Sequence, residues 1–403
     1  MTALMLTSMA LEILLLLVLL LYSREHVRRS FPGCDPGGSA PALETWPACP
    51  RVALIVPLTG NSPEMEAALN SLLTQPYPNY ETVLVTRDLD DPATPLVRAL
   101  LARHPHSRHI VSGPAAGNSQ KNHNILAGVG SLDDAVEILV FCDSTHQARP
   151  NFLPDLIHPL VTGAAVLASG FHRIIPGDTR LPTLGMLQTV LTLHLLHGFA
   201  FIALPWGGAT AILRSVFHDC GIAGVLKQNV LDDFPLGQRL LRFGIRSVPV
   251  ATAILDTHLV GHTMAGWNTW LTRQLLYLKY CLPSTWMASA LVVWVLAGPI
   301  LMAVLAVLGG LIGLAPPPLA LISLAFLLTL TGIGAWCRTL IPHPAPLGPW
   351  LLAFYANIFM ACWCYIQTWR THTIAWHGIS YRVTWGGRVK KIILTPEPER
   401  NPL

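Results

Sequence analysis

The sequence predicts an α/β domain of repeated strand–helix units, tied to a membrane by one N-terminal apolar helix and three C-terminal ones. Three observations carry this expectation. Residues 4–22 are almost wholly apolar, and a run of about 20 apolar residues can cross a bilayer. Between residues 50 and 145, short continuous apolar runs alternate with stretches of helical spacing. Three further long apolar runs occupy about 285–314, 318–336 and 349–368. The composition agrees: the 403 residues are 52% hydrophobic and 12% charged, whereas soluble domains hold about 25% charged residues. A net charge of +4 with scattered Lys and Arg excludes a nucleic-acid footprint. The eight cysteines form no zinc-type pair of pairs and read as reduced thiols.

The first apolar run, expected as an anchor over 1–23, is followed by Arg24, Arg28 and Arg29. Positive charge after the run rather than before it argues for a retained anchor, with the downstream chain in the cytoplasm. Residues 24–50, rich in Pro, Gly and Ser, read as a linker. Val52–Leu58 is a buried parallel strand ending in the loop Thr59-Gly60-Asn61-Ser62. Met65, Leu69, Leu72 and Leu73 give a helix over 63–75. Thr82–Thr86, His109–Val111 and Glu137–Cys142 are further strands. The domain is expected to run from 51 to 262.

An apolar stretch at 184–204, broken by Gln188, His194 and His197, reads as an interfacial or re-entrant helix, with a buried core helix as the alternative. Residues 263–284 mix Trp, Tyr, Leu, Arg273 and Lys279, which suits an amphipathic helix in the membrane interface. Pro316-Pro317-Pro318 and the prolines at 342–349 separate the three late spans. The polar tail, 369–403, contains Gly386-Gly387 and a basic run. Counting spans from a cytoplasmic domain puts this tail outside, while its basic residues prefer the inside.

In βαβ sheets ligands bind beyond the carboxyl ends of the strands, and acidic clusters fall there. Asp88-Leu89-Asp90-Asp91 follows the second strand and Asp143-Ser144-Thr145 the fourth; Asp232-Asp233 comes later, in a segment that starts Trp206-Gly207-Gly208. Carboxylates so placed suit a nucleotide diphosphate, whose departing charge a divalent cation would neutralise. They also suit deprotonation of a hydroxyl of high pKa. Each cluster alone could equally be a turn or a helix cap. Sixteen histidines include pairs at helical spacing, but no Glu-type partner motif makes them a metal site.

Several segments together resemble the ceramide glucosyltransferase branch of the family 2 (GT-A fold) glycosyltransferases. They are Asp88–Ala93, Lys121-Asn122-His123-Asn124, Phe141-Cys142-Asp143-Ser144, Asp232-Asp233, Ile374-Ala375-Trp376, Tyr381-Arg382 and Gly386-Gly387. The similarity covers about residues 50–392. It implies a GT-A domain, and an inverting transfer of a glucose-like hexose from a UDP-sugar to a membrane lipid hydroxyl. Asp88 would contact the nucleotide base, with Asp90 or Asp91 as alternatives. Asp143 would bind Mg²⁺ or Mn²⁺ and the diphosphate, and Asp233 would be the base. Lys121 would steady the diphosphate or uracil region. Trp206, Gly207, Gly208 and Asp232 would line the donor site.

Two positions depart from that pattern. Asp143-Ser144-Thr145 lacks the second carboxylate of Asp-x-Asp, so a metal ligand would come from elsewhere. The family's Gln/Arg-x-x-Arg-Trp motif has its counterpart in Arg273-Gln274-Leu275-Leu276-Tyr277, where Leu276 replaces Arg and Tyr277 replaces Trp. Arg273 or Lys279 would then supply the missing cation. A processive polysaccharide synthase and a non-catalytic membrane scaffold are the alternatives. The Arg-, Pro- and Ala-rich composition suits a GC-rich bacterial genome, which makes a bacterial inner membrane the expected location.

Overall fold

The computed structural model describes residues 2–30, 40–342, 344–376 and 378–394. Helix α1 (Thr2–Ser30) carries the first apolar run and takes in Arg24, Arg28 and Arg29. It therefore continues past the expected anchor boundary at 23, because nothing at 24–30 breaks a helix. Of the expected linker, residues 31–39 lie outside the described residues, as do 395–403 of the tail.

The α/β domain follows in the expected order: β1 (Val52–Pro57), α2 (Met65–Leu73), β2 (Tyr80–Thr86), α3 (Thr94–Leu101), β3 (Ser107–Val111), α4 (Gln120–Gly130) and β4 (Ile138–Cys142). Next come β5 (Gln147–Ala148), α5 (Phe152–Val161), β6 (Leu167–Pro176), α6 (Leu181–His197), β7 (Ala209–Leu213), α7 (Arg214–Asp219), α8 (Ile222–Leu226), α9 (Asp233–Leu241) and β8 (Val248–Leu259). The eight strands form one mixed sheet in the order β3-β2-β1-β4-β7-β6-β8-β5. β1 pairs in parallel with both β2 and β4, and β7 runs antiparallel between β4 and β6. All six residues of β1 are buried. Its odd and even residues join different cores: Leu54 and Val56 face α2 and α5, while Ala53 and Ile55 face α4 and the α7–α9 side. A strand covered on both faces needs a continuous apolar run, which is why 52–58 does not alternate.

The apolar layer comprises α1, α10 (Met264–Cys281), α11 (Pro283–Leu311), α12 (Pro317–Cys337) and α13 (Leu347–Arg370). Among the described residues, four helices are long and apolar enough to cross a membrane: α1, α11, α12 with its continuation to Leu340, and α13. Helix α6 ends at His197 rather than 204 and is buried for most of its length, sharing one core with β6, β8, α1, α10 and α13. Trp267 of α10 is fully buried in that core and donates from Nε1 to Thr189 Oγ1 at 3.1 Å.

Both ends of α13 are fastened to neighbouring helices, the start to α6 and the end to α10. Near its start the Trp350 carbonyl accepts from Gln188 Nε2 of α6 at 2.8 Å. Near its end the Thr368 carbonyl accepts from Lys279 Nζ of α10, and Gln367 Nε2 donates to Asn268 Oδ1 at 2.6 Å. Lys279 is thereby committed to backbone carbonyls of α13, which corrects its expected role as a replacement cation in the site.

The tail folds into a second sheet, β11-β10-β9, from β9 (Thr373–Trp376), β10 (Ile379–Val383) and β11 (Val389–Leu394). This sheet docks on the α/β domain: Gln120 N donates to Tyr381 Oη at 3.1 Å, and Val230 N to the Gly387 carbonyl at 2.9 Å.

Candidate active site

A cavity of about 650 Å³ lies beyond the carboxyl ends of β1 and β4, between the sheet, α6, α10 and the tail sheet. Lys121, Asp143, Trp206, Gly207, Gly208, Asp232, Asp233, Arg273 and Gln274 all line it. Asp143 follows β4, Lys121 sits in the first turn of α4, and Asp233 opens α9. Asp232 precedes α9 but makes no side-chain cap, so that pair is not an ordinary helix start.

Lys121 is the hub. Its Nζ lies 2.8 Å from Asp143 Oδ1 and 3.0 Å from Asp232 Oδ2, and it reaches the Gly207 carbonyl at 3.5 Å. Burial pulls the ammonium pKa down, but Asp143 and Asp232 outweigh it and leave Lys121 raised and firmly charged. Burial likewise pushes Asp143 up, yet Lys121 and then His146 outweigh it, so Asp143 stays ionised below its ordinary range.

Asp233 behaves in the opposite way. Burial first, and then the neighbouring Asp232, push its carboxyl well above the carboxylate range, to about 7, against the pull of Lys121. It accepts from Phe234 N at 2.6 Å and Gly207 N at 3.3 Å, which fixes its orientation. A recessed carboxyl poised near neutrality suits proton abstraction, and it sits beside groups held permanently charged.

The glycines are sterically required. A Cβ at Gly207 would meet Asp232 Oδ2 at 2.2 Å, and one at Gly208 would meet the Trp206 ring at 2.3 Å. Trp206 is held in turn by His172, stacked at 4.7 Å between ring centroids. His172 Nδ1 and His146 Nδ1 share Thr257 Oγ1, at 2.9 and 2.8 Å. Burial keeps both imidazoles below their ordinary pKa, and so neutral at pH 7.

Asp88 does not join this set. Its carboxylate pairs with Arg87 at 3.4 Å and is half exposed, and it does not line the cavity. Asp91 instead is buried and accepts from Gly60 N at 3.0 Å, pinning the loop Thr59-Gly60-Asn61-Ser62 that does line it. The motif Arg273–Tyr277 keeps its register: Arg273, Gln274 and Tyr277 face the cavity, whereas Leu276 is buried against the tail sheet.

Sequence reasoning assigned no site role to His146 in the loop before β5, to His172 of β6, or to Ile374, Trp376 and Tyr381 of the tail sheet, all of which line the cavity. It also missed His197. That ring lines the cavity with Leu193, Leu196 and Ile202, and neither nitrogen has a hydrogen-bond partner among the described residues. The seven described cysteines are all free.

Comparison with known proteins bears on this geometry. The chain is 20% identical over 232 residues to ceramide glucosyltransferase 1 of Caenorhabditis elegans, covering 54% of this chain and 46% of the relative. It is 33% identical over 94 residues to the ceramide glucosyltransferase of Komagataella phaffii, covering 21% and 18%. The chain thus spans less than half the length of either curated relative. Among solved structures, the mannosyltransferase PcManGT from Pyrobaculum calidifontis, in complex with GDP-Man and Mn²⁺, is similar with a TM-score of 0.49 and 18% identity over 87% of this chain and 99% of that one. Glucosyl-3-phosphoglycerate synthase from Mycobacterium tuberculosis is similar with a TM-score of 0.35 and 18% identity over 57% and 79%. The family model described as Glycosyl transferase family 21 matches residues 10–389, nearly the whole chain. With this match across its α/β domain, its N-terminal apolar helix and its C-terminal ones, the chain belongs to the ceramide glucosyltransferase-like family 21 of glycosyltransferases.

Proposed function

We propose that this glycosyltransferase transfers a glucose-like hexose from a UDP-sugar to the hydroxyl of a ceramide-like membrane lipid, with inversion. The observation that carries the reading is one cavity lined both by a charged cluster and by an apolar group of side chains. Lys121, Asp143, Asp232 and Asp233 form the first, and Leu193, Leu196, Ile202 and His197 the second. A donor diphosphate suits the charged cluster and a lipid the apolar group.

In the proposed step the lipid hydroxyl oxygen attacks the anomeric carbon as the bond to the diphosphate breaks. Asp233 takes the hydroxyl proton, and the diphosphate leaves with the bonding electrons. A single displacement by the acceptor inverts the anomeric centre. Lys121 and Arg273 supply fixed positive charge toward the leaving group. Trp206, held by His172, walls the sugar, and Gly207-Gly208 let backbone approach it.

The donor set also fits a divalent cation, within limits. Among the described residues no group of three His, Cys, Asp or Glu side chains could hold a metal alone. Mg²⁺-type sites are commonly completed by one or two carboxylates plus substrate phosphates. Asp143 meets that need: Lys121 takes Oδ1, while Oδ2 faces His146 Nε2 at 3.8 Å. When bound, the cation would neutralise charge on the departing diphosphate.

Arg24, Arg28 and Arg29 after the apolar run of α1 support a domain on the cytoplasmic face of a multi-pass membrane protein. The test is purified protein in lipid, given several UDP-sugars and ceramide, with products read by mass spectrometry and anomeric configuration by NMR. A single β-linked hexose on the lipid is expected from an α-linked donor. Polymeric product would favour a polysaccharide synthase, and neither transfer nor donor hydrolysis would favour a scaffold.

A further inference from the structure

We infer that the C-terminal sheet β9–β11 is a positioning element of the active site, holding Lys121 and the Asp232-Asp233 pair at their working separation. The inference rests on the assignment of Asp233 as base. Residues 228–231 lead directly into the acidic pair, and they have no regular sheet of their own. They are gripped from two sides instead. From the α/β domain, Asn122 Nδ2 donates to the Asn229 and Leu231 carbonyls, each at 2.9 Å. From the tail, Val230 N donates to the Gly387 carbonyl at 2.9 Å and Val389 N to the Gln228 carbonyl at 2.9 Å, with a bridge between Asn229 and Arg388.

The same small sheet also reaches the other side of the site. Tyr381 is 1% exposed, and its hydroxyl accepts from Gln120 N at 3.1 Å. That amide opens α4, one residue before Lys121. A helix start carries amides without intrahelical partners, so a buried hydroxyl there sets where the first turn begins. The sheet thus touches the helix that aims Lys121 and the strand-like segment that aims Asp233.

Gly387 shows how close the fit is. Its φ is +76°, and a Cβ there would lie 2.7 Å from Cys281 Sγ and 2.8 Å from Asn229 Oδ1. Gly386 N also donates to the Tyr280 carbonyl at 2.7 Å, fastening the turn to the end of α10. A surface extension would need none of these contacts. A strut that transmits the position of α10 to residues 228–233 needs all of them.

The experiment uses the full-length chain in lipid nanodiscs, with Gly387→Val and, as the milder variant, Tyr381→Phe. Hydrogen–deuterium exchange of residues 228–236, kcat and donor KM are read together. Gly387→Val should raise exchange across 228–236 and lower kcat at least tenfold, with donor KM changed less than threefold. Tyr381→Phe removes one hydrogen bond and should lower kcat about three- to tenfold, with exchange raised at 119–123. A Tyr381→Phe protein whose exchange and kcat both match wild type overturns the inference, as does raised exchange with unchanged kcat. Should Gly387→Val fail to fold, Tyr381→Phe decides alone. Wild-type protein that transfers no sugar would sink the proposed function, while exchange at 228–236 would still show whether the sheet fixes that segment.

Discussion

Replacing Asp233 with Asn tests the chemistry most directly. The substitution keeps the shape of the side chain, and Phe234 N, 2.6 Å from Oδ1, keeps its acceptor. The new amide then faces Gly207 N, where the carboxylate had accepted at 3.3 Å. The substitution gives up that one long hydrogen bond, so the fold should survive. What disappears is the proposed base. Proton transfer by a positioned side chain is worth about 10²- to 10⁴-fold, or about 2.7–5.5 kcal/mol of barrier. We expect kcat to fall by that factor while donor KM stays within about threefold, measured as transfer of labelled hexose to ceramide in nanodiscs. The wild-type pH profile gives the second reading. Because the Asp233 carboxyl is raised to about 7, turnover should climb with pH up to about 7 and then level. Below that, it should drop about tenfold per pH unit as the base becomes protonated. The same shift has a stability consequence with opposite sense. The folded chain holds this proton at pH values where the unfolded one has released it, so stability contributed by the group falls as pH rises from the ordinary carboxylate range to about 7. An Asp233→Asn protein within threefold of wild-type kcat, or one retaining the acid limb unchanged, would refute the assignment.

Four other perturbations follow from the geometry. Lys121→Met leaves Asp143 and Asp232 facing each other without their shared cation, and should lower kcat/KM at least about 100-fold in the same transfer assay. Gly207→Ala forces a methyl to within 2.2 Å of Asp232 Oδ2; overpacking of this kind costs about 1–3 kcal/mol, and the protein should show a lowered unfolding temperature together with lost transfer. Chelation of divalent cations should suppress turnover, and Mn²⁺ or Mg²⁺ should restore it, with the restoration absent in Asp143→Ala. A membrane-impermeant label on the tail sheet should react from the same side of the membrane as one on the α/β domain, because the two dock together, and this requires that one of α11, α12 and α13 does not cross the bilayer; labelling from opposite sides would contradict the docking.

One part of the site was legible directly from the βαβ units. β1 and β4 are continuous apolar runs because both faces are covered, and the residues after them fall at the strand ends by construction. Asp143 could be located from that alone. Asp88 could not, since being next to a strand end does not say which way a side chain turns; here it pairs outward with Arg87, while Asp91 turns in to hold the Gly60 loop. β6, β7 and β8 bring His172, Trp206 and Thr257 together through pairings between segments far apart in the chain. No local period announces such contacts. His197 looked like a break in an apolar helix because its neighbours in space, Phe171 of β6 and His26 of α1, lie far away in sequence.

The altered motif on α10 shows how a changed sequence can keep a site. Residues 273 and 277 are one helical turn apart, so both can face the same cavity, while 276 lies on the flank. Leu276 fills that flank position against Ile374 and Tyr381 of the tail sheet, where an Arg would have to bury its charge among apolar groups. The cation is therefore not simply missing from 276. An arginine there would be incompatible with the sheet that closes this side. In the proposed reaction, positive charge toward the diphosphate would come instead from Arg273 on the same face and from Lys121 across the cavity; Tyr277 occupies the aromatic position with its hydroxyl pushed up to about 12 by burial, so it stays neutral. On this reasoning, Leu276→Arg should not improve turnover. It should loosen the tail sheet and weaken the grip on residues 228–231, through which Asp233 is aimed.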